Sequence, residues 1–409
     1  MRCEKADSSR TVPVSARCGS WPPRRGKQQS TPFWAIQPAI SPTLCGALPC
    51  NGEAPHLSLG ASMATVSIRP QQAANLVGRY IDARIPVLLT GAPGVGKSSI
   101  VEQAAKAAGY DVILSHPVVA DPTDAKGLPW PGKDGESATF LPFGDLARAI
   151  KATTPTVWFL DDLGQASPAV QASFMQLLLA RKVNGHALPG CVTFVAATNR
   201  RSDRAGVSGI LSPVISRFGA VVGVETSVDD WCEWALGADM PPELISFIRF
   251  RPNLLHLQDT RKADDMENFP CPRTWEYAGK AIQLGLAEDL EFAAFAGAVG
   301  EGAAIELRGF LTMVRSKLPN PDSIILDPDN APIPGRPDLL WAVTTALAKR
   351  ASDTNCGRIF RYAERLFDDG KSEFAVMMVK DINRLTPSVR DTQDWTRLVL
   401  TNLGKSFLA

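Results

Sequence analysis

Eight consecutive residues, Gly91-Ala92-Pro93-Gly94-Val95-Gly96-Lys97-Ser98, constrain this chain more than any other stretch. They satisfy the pattern G-x-x-x-x-G-K-[ST] at every fixed position. The apolar run Ile85–Leu89 before them reads as a buried strand, and Ser99 to Ala108 after them as a helix that stops at Gly109. Strand, glycine loop and helix are the context in which such a loop grips a phosphate. Without a Cβ, the glycines let the backbone fold tightly and turn N–H groups inward. The helix N-terminus at Ser99 adds partial positive charge. Lys97 is then placed to reach the β- and γ-phosphates of a nucleoside triphosphate, and the Ser98 hydroxyl to ligate Mg²⁺. The competing reading is an ordinary glycine-rich turn.

The second landmark lies 63 residues beyond Ser98, where the apolar strand Val157-Trp158-Phe159-Leu160 ends in Asp161 and Asp162. In a parallel sheet, ligands sit at the carboxyl ends of strands. Adjacent carboxylates repel, and a bound cation relieves the repulsion. Asp161 would hold Mg²⁺, and Asp162 would polarise an attacking water. Taken alone, the pair reads as well as a solvated strand-end turn. A further buried strand, Cys191–Ala197, ends at Thr198-Asn199. Asn199 would orient the water or touch the γ-phosphate, although Asn is common at strand ends for other reasons.

Around these landmarks the pattern alternates. Helices are expected over 70–82, 144–151 and 167–180, the last with Ser167 as N-cap before Pro168 and with Leu177–Leu179 on its inner face. Residues 214–218 close another helix, and strands are expected over 111–114 and 221–224. Asn184-Gly185 marks a hairpin within 181–190. The turn-rich stretch 117–143 suggests a short strand or hairpin insert rather than a helix. At least four apolar strands alternating with helices give a parallel α/β sheet.

Composition enters at the chain's N-terminal end. Residues 1–62 hold four of the eight cysteines, eight of the 32 prolines, and seven Lys/Arg against three Asp/Glu. No hydrophobic period runs through them, and disorder is expected. An Arg/Ser-rich transit peptide is one reading; translation that begins at Met63 is the other. The whole chain carries a net charge of +1, so no global basic field argues for nucleic acid. No apolar run approaches the length of a membrane span. The cysteines form no C-x-x-C pair, and read as reduced thiols of a cytoplasmic protein.

The C-terminal third reads as helical. Patterns over 226–237, 241–250, 273–284 and 290–318 form an all-α lid, the last interrupted near Gly297–Gly300. Residues 319–337, rich in Pro and Asp, read as a turn-rich linker. Four further helices are expected over 339–351, 356–367, 373–385 and 391–409, packing on the lid or on each other. Lys349, Arg350, Arg358, Arg361 and Arg365 either contact an acidic partner or form a solvated face.

Taken in order and spacing, these segments resemble the AAA+ ATPases, and within them the MoxR-like and midasin/dynein-related branch. Gly91–Ser98 looks like Walker A, Val157–Asp162 like Walker B, and Ala196–Asn199 like sensor 1. Leu211–Phe218 looks like the arginine-finger segment and Cys271–Glu276 like sensor 2. The stretches 121–143 and 181–190 resemble the helix-2 insert and the hairpin before sensor 1 that mark this branch. The resemblance covers roughly residues 65–318. It implies a P-loop NTPase (AAA+) αβα sandwich with a parallel sheet over 63–225, followed by an all-α lid over 226–318; the linker and extra C-terminal helices over 319–409 rest on their own patterns. It implies ATP and Mg²⁺ bound at Gly91, Ala92, Pro93, Gly94, Val95, Gly96, Lys97, Ser98, Ser99 and Asp161. It also implies a homo-oligomeric ring, commonly a hexamer, in which Arg217 serves the neighbouring subunit's nucleotide while Arg273 touches the γ-phosphate in cis. Both arginines read alternatively as surface or salt-bridged residues. Trp130, in the first insert, either touches a partner or packs inward.

The family's usual Asp-Glu is Asp161-Asp162 here, one methylene shorter at the second acid. The reading that follows is an ATP-hydrolysing, chaperone-like remodeller of protein partners, in this family often von Willebrand A-type proteins. The alternatives are a nucleic-acid motor of the same class and a nucleotide-regulated assembly factor that hydrolyses slowly.

Overall fold

Continuous apolar runs, rather than alternating ones, make strands that are buried on both faces. The computed structural model describes residues 66–132, 136–203, 209–257 and 267–408. The expectations for residues 1–62 lie outside these. The chain opens with β1 (Ser67–Ile68) and α1 (Pro70–Ala83). Then β2 (Val87–Gly91) runs into the glycine loop, α2 (Lys97–Ala107) leaves it, and β3 (Asp111–Ser115) follows. Next come α3 (Pro122–Lys126), the hairpin of β4 (Leu128–Pro131) and β5 (Ala138–Leu141), α4 (Gly144–Ile150), β6 (Thr156–Leu160) and α5 (Pro168–Ala180). A second hairpin pairs β7 (Lys182–Val183) with β8 (His186–Ala187) and precedes β9 (Val192–Asn199), α6 (Ser212–Ile215) and β10 (Ala220–Val224).

Six strands form one parallel sheet in the order β1-β10-β2-β9-β6-β3. Successive residues of β2 face opposite sides: Val87 and Leu89 pack with α1 and α2 through Val77, Ile81 and Val101, while Leu88 joins Trp158, Phe174 and Phe194 on the other side. Trp158 stacks on Phe194 at 5.4 Å and meets Phe174 edge-on at 5.9 Å. The register places Gly91 opposite Asn199 and Leu160 opposite Ala196. The glycine loop, Asn199 and the two acids therefore emerge at the same end of the sheet.

Five helices follow: α7 (Val228–Gly237), α8 (Pro242–Phe250), α9 (Pro272–Gln283), α10 (Glu288–Val299) and α11 (Glu301–Lys317). They share a core around Phe247, Trp275 and Phe310. Gly300, at φ 78°, separates α10 from α11. The chain then forms α12 (Pro321–Leu326), α13 (Pro337–Arg350), α14 (Cys356–Asp368), α15 (Ser372–Leu385), α16 (Gln393–Leu400) and α17 (Asn402–Leu408). Helix α13 is buried from Asp338 to Ala348, which explains its nearly continuous apolar sequence. It joins the two helical groups: the Ser246 hydroxyl of α8 donates to the Trp341 carbonyl at 3.1 Å. The Arg249 guanidinium of α8 holds Asp381 of α15 at 2.7 and 2.9 Å.

Several expectations are corrected. Leu177 and Leu178 are buried, but Leu179 is 68% exposed, because three consecutive residues span too wide an arc of the helix to share one face. The stretch 117–143 does contain its hairpin, and also the short helix α3, begun by the Asp121 carboxylate accepting from the Thr123 N–H at 2.9 Å. The linker 319–337 contains α12, where Asn320 accepts from the Asp322 N–H and Pro321 takes the first helical position. The expected helix 391–409 is two helices, broken where Thr401 turns extended and its hydroxyl accepts from the Gly404 N–H.

Trp130 is 61% exposed rather than packed. Lys349, Arg350 and Arg361 are paired with Asp239, Asp322 and Asp329 of this chain. Cys191, Cys232, Cys271 and Cys356 are free thiols. Among the described residues, no helix is long and apolar enough to cross a membrane.

Candidate functional site

The loop between β2 and α2 needs glycine where its backbone turns left-handed. Gly94 and Gly96 have φ of 75° and 93°, values that L side chains rarely adopt. A Cβ on Gly91 would lie 2.7 Å from the Val224 carbonyl of the neighbouring strand. Helix α2 starts at Lys97, two residues earlier than the apolar pattern suggests, so Lys97 and Ser98 both lie in its first turn.

Lys97 is 7% exposed. Its ammonium donates to the Gly91 carbonyl at 3.0 Å, the Ala92 carbonyl at 2.9 Å and Asn199 Oδ1 at 2.7 Å. Burial pulls its pKa down to about 8, against the opposing pull of Asp162, Asp161 and Asp203. The Ser98 hydroxyl donates to Asp161 Oδ2 at 2.6 Å, and the Asp162 N–H donates to Asp161 Oδ1 at 3.0 Å. A hydroxyl and a carboxylate side by side are the hard oxygen donors that suit Mg²⁺. No cluster of three His, Cys, Asp or Glu that could hold a metal occurs among the described residues. A cation held by Ser98 and Asp161 would therefore complete its shell with phosphate and water oxygens.

Asp162 adopts a left-handed backbone, φ 55° and ψ 34°, as the strand end turns away. Its Oδ1 accepts from the Asn199 amide at 3.3 Å. Burial and the adjacent Asp161 raise its pKa, while Lys97, His116 and Arg273 act in the opposite sense. Asn199 thus bridges the ammonium and the second acid.

The helical lid reaches the loop at Gly94. The Arg273 N–H donates to the Gly94 carbonyl at 3.3 Å, and a Cβ on Gly94 would lie 2.4 Å from the Cys271 sulfur. Between loop and lid runs a cleft of about 290 Å³, lined by Gly94, Val95, Gly96, Ser98, Ser99 and Arg273. Its far wall is formed by Gln71, Gln103, Asp230, Trp231, Trp234 and Tyr277. Asp230 fixes that wall by accepting from the Gln71 N–H at 2.9 Å. Neither Arg217 nor the Lys97, Asp161, Asp162 and Asn199 group lines this cleft, and Arg217 follows the short helix α6. This arginine is half-buried, and its guanidinium donates to the carbonyls of Met175, at 3.0 Å, and Pro213.

The structure therefore gathers the glycine loop, Lys97, Ser98, Asp161, Asp162, Asn199 and Arg273, while the Arg217 guanidinium is bonded to the Met175 and Pro213 carbonyls. Sequence reading missed the far wall of the cleft. It also missed His256, whose ring faces the Pro93 backbone and whose pKa is lowered by burial and by Arg200. The wall residues carry no shared pattern; an acid next to an aromatic, as in Asp230-Trp231, is too common to be a signal.

A family model described as "AAA domain (dynein-related subfamily)" matches residues 86–218. Midasin of Giardia intestinalis is 28% identical over 172 residues, 40% of this chain. The matched stretch spans 4% of midasin's own length. Among solved structures, a mutant of Thermotoga maritima RuvB aligns over 68% of this chain and 81% of that one, at 16% identity and a TM-score of 0.35. NtrX of Brucella abortus in complex with ADP aligns over 82% and 68%, at 12% identity and a TM-score of 0.34.

Proposed function

From a chain that carries an AAA domain of the dynein-related subfamily over residues 86–218, we propose an ATPase that binds ATP with Mg²⁺ and hydrolyses it. The 2.6 Å contact between Ser98 and Asp161 carries this reading. It joins the loop that grips phosphate to the acid that fits a cation, across 63 residues of sequence. Backbone N–H groups of Gly94 and Gly96 and the ammonium of Lys97 hold the β- and γ-phosphates. Ser98 and Asp161 would hold a cation, which would supply charge neutralisation to the phosphates. Asp162 accepts the proton of the attacking water, and Asn199 fixes that carboxylate in place. Arg273 touches the γ-phosphate in cis and lets the lid sense its loss.

The subunits assemble as a ring. What supports this is the order of Leu211–Phe218 after Asn199, which resembles the segment that offers an arginine to a neighbour's nucleotide in trans. The protein is then a MoxR-like, chaperone-like remodeller in the cytoplasm, working as a hexamer on a protein partner such as a von Willebrand A-type domain. Exposed Trp130 on the first hairpin supports contact with such a partner.

A second reading, a slow-hydrolysing assembly factor, is favoured by the short side chain of Asp162. Steady-state turnover of the wild type, Lys97→Ala, Asp162→Ala and Asp162→Glu tests both. The ATPase reading expects Lys97→Ala to lose binding and Asp162→Ala to keep binding but lose roughly a hundredfold or more in turnover, the scale of a lost catalytic base. Equal turnover in wild type and Asp162→Ala overturns it. A large gain in Asp162→Glu favours the slow factor.

A further inference from the structure

We infer that Gln171 is a positioning residue that couples the acidic strand end of one subunit to the arginine it offers to the next. The inference rests on the proposal that Arg217 acts in trans. Gln171 lies on α5 and is 1% exposed. Its side-chain amide donates to the Ala166 carbonyl at 3.0 Å and the Gly209 carbonyl at 2.9 Å. Its Oε1 accepts from the Leu211 N–H at 2.9 Å. Ala166 ends the short 3₁₀ turn Leu163–Gln165, for which Asp162 is the N-terminal cap position. Gly209 and Leu211 lead into α6 and on to Arg217. One turn along the same helix, the Met175 carbonyl accepts from Arg217 Nε at 3.0 Å.

Helix α5 therefore holds the arginine segment at both ends, by the Gln171 side chain and the Met175 carbonyl. The surroundings do not call for a polar residue: Val170, Phe174 and Val214 pack there in an apolar core. A buried amide in such a core stays only if its bonds are made, and once made they fix one arrangement. One nitrogen, bonded to both Ala166 and Gly209, ties the turn after Asp162 to the segment before Arg217. A change at Asp162 that follows the nucleotide is passed to the neighbour's site by that link. None of the sequence motifs includes Gln171.

The test is subunit complementation with purified full-length protein. Gln171→Glu keeps the acceptor for Leu211 and removes both donors. Its ATP affinity should stay within about twofold of wild type, while turnover falls at least about tenfold towards that of Arg217→Ala, in the range of a displaced trans arginine. Mixed with Lys97→Ala, which cannot bind nucleotide but presents Arg217, it should regain turnover. Arg217→Ala mixed with Lys97→Ala is the control for the trans reading itself. If the control regains turnover and Gln171→Glu does not, or if Gln171→Glu alone turns over at the wild-type rate, the coupling role is overturned. If the control fails, the trans reading falls and this inference with it. Gln171→Asn, which keeps both groups one methylene short, carries the same test should Gln171→Glu melt early.

Discussion

Burying an ammonium is costly unless something anionic arrives, and Lys97 shows the cost directly. Unfolded, it keeps its proton to about 10.5; folded and without nucleotide, it releases it near 8. Between those values the unfolded state binds more protons, so stability rises with pH across the window. Below the window, the buried charge lowers stability by about 3 kcal/mol, at roughly 1.4 kcal/mol for each pH unit between the two values. Denaturant unfolding of the nucleotide-free protein across that window should show the rise, and Lys97→Met should flatten it. An equal slope in both proteins contradicts the assignment. Phosphates bound beside Lys97 would restore its pKa, which is why the residue is poised for an anionic ligand.

At the scale of elements, the joint between lid and C-terminal helices is the feature with the largest consequence. Arg249 and Asp381 are 6% and 0% exposed and face each other across α8 and α15, with Thr345 of α13 accepting from the same guanidinium at 3.0 Å. Removing one partner leaves the other charge buried and unpaired. Asp381→Ala should cost about 3–5 kcal/mol, read from urea unfolding, and a loss below about 1 kcal/mol would mean water reaches Arg249. Replacing both, Arg249→Met with Asp381→Leu, should recover most of the loss.

The same elements show what a sequence reveals. Gly91–Ser98 is legible because gripping a phosphate imposes a pattern on consecutive residues, and the two acids because a strand's end fixes where they project. The parallel sheet is legible in its apolar runs, whereas β1, two residues long, is too short to carry a period. Helix α12 is hidden because the Asn and Pro that start a helix also mark turns. The cleft's far wall is illegible for a different reason. Gln71 and Asp230 stand 159 residues apart, and only the fold decides that they meet. Gln171 is silent likewise, since its three partners are backbone groups.

At the scale of the molecule, the sheet domain and lid meet at Gly94 with no room for a side chain. Gly94 needs its left-handed backbone, and the Cys271 sulfur occupies the space a side chain would take. Gly94→Ala should therefore part the lid from the loop and weaken ATP binding at least about tenfold. Adding Cys271→Ala should restore part of the affinity, a coupling expected only of residues in contact. Strictly additive losses would place the clash elsewhere.

The ATPase reading requires that Ser98 and Asp161 share a cation on which the triphosphate depends. Calorimetric titration of ATP into wild type and Asp161→Ala, each with Mg²⁺ and with excess chelator, measures it most directly. Mg²⁺ should tighten binding to the wild type by about tenfold or more, worth ~1.4 kcal/mol, and leave Asp161→Ala nearly unchanged. The same Mg²⁺ gain in both proteins would contradict the shared site.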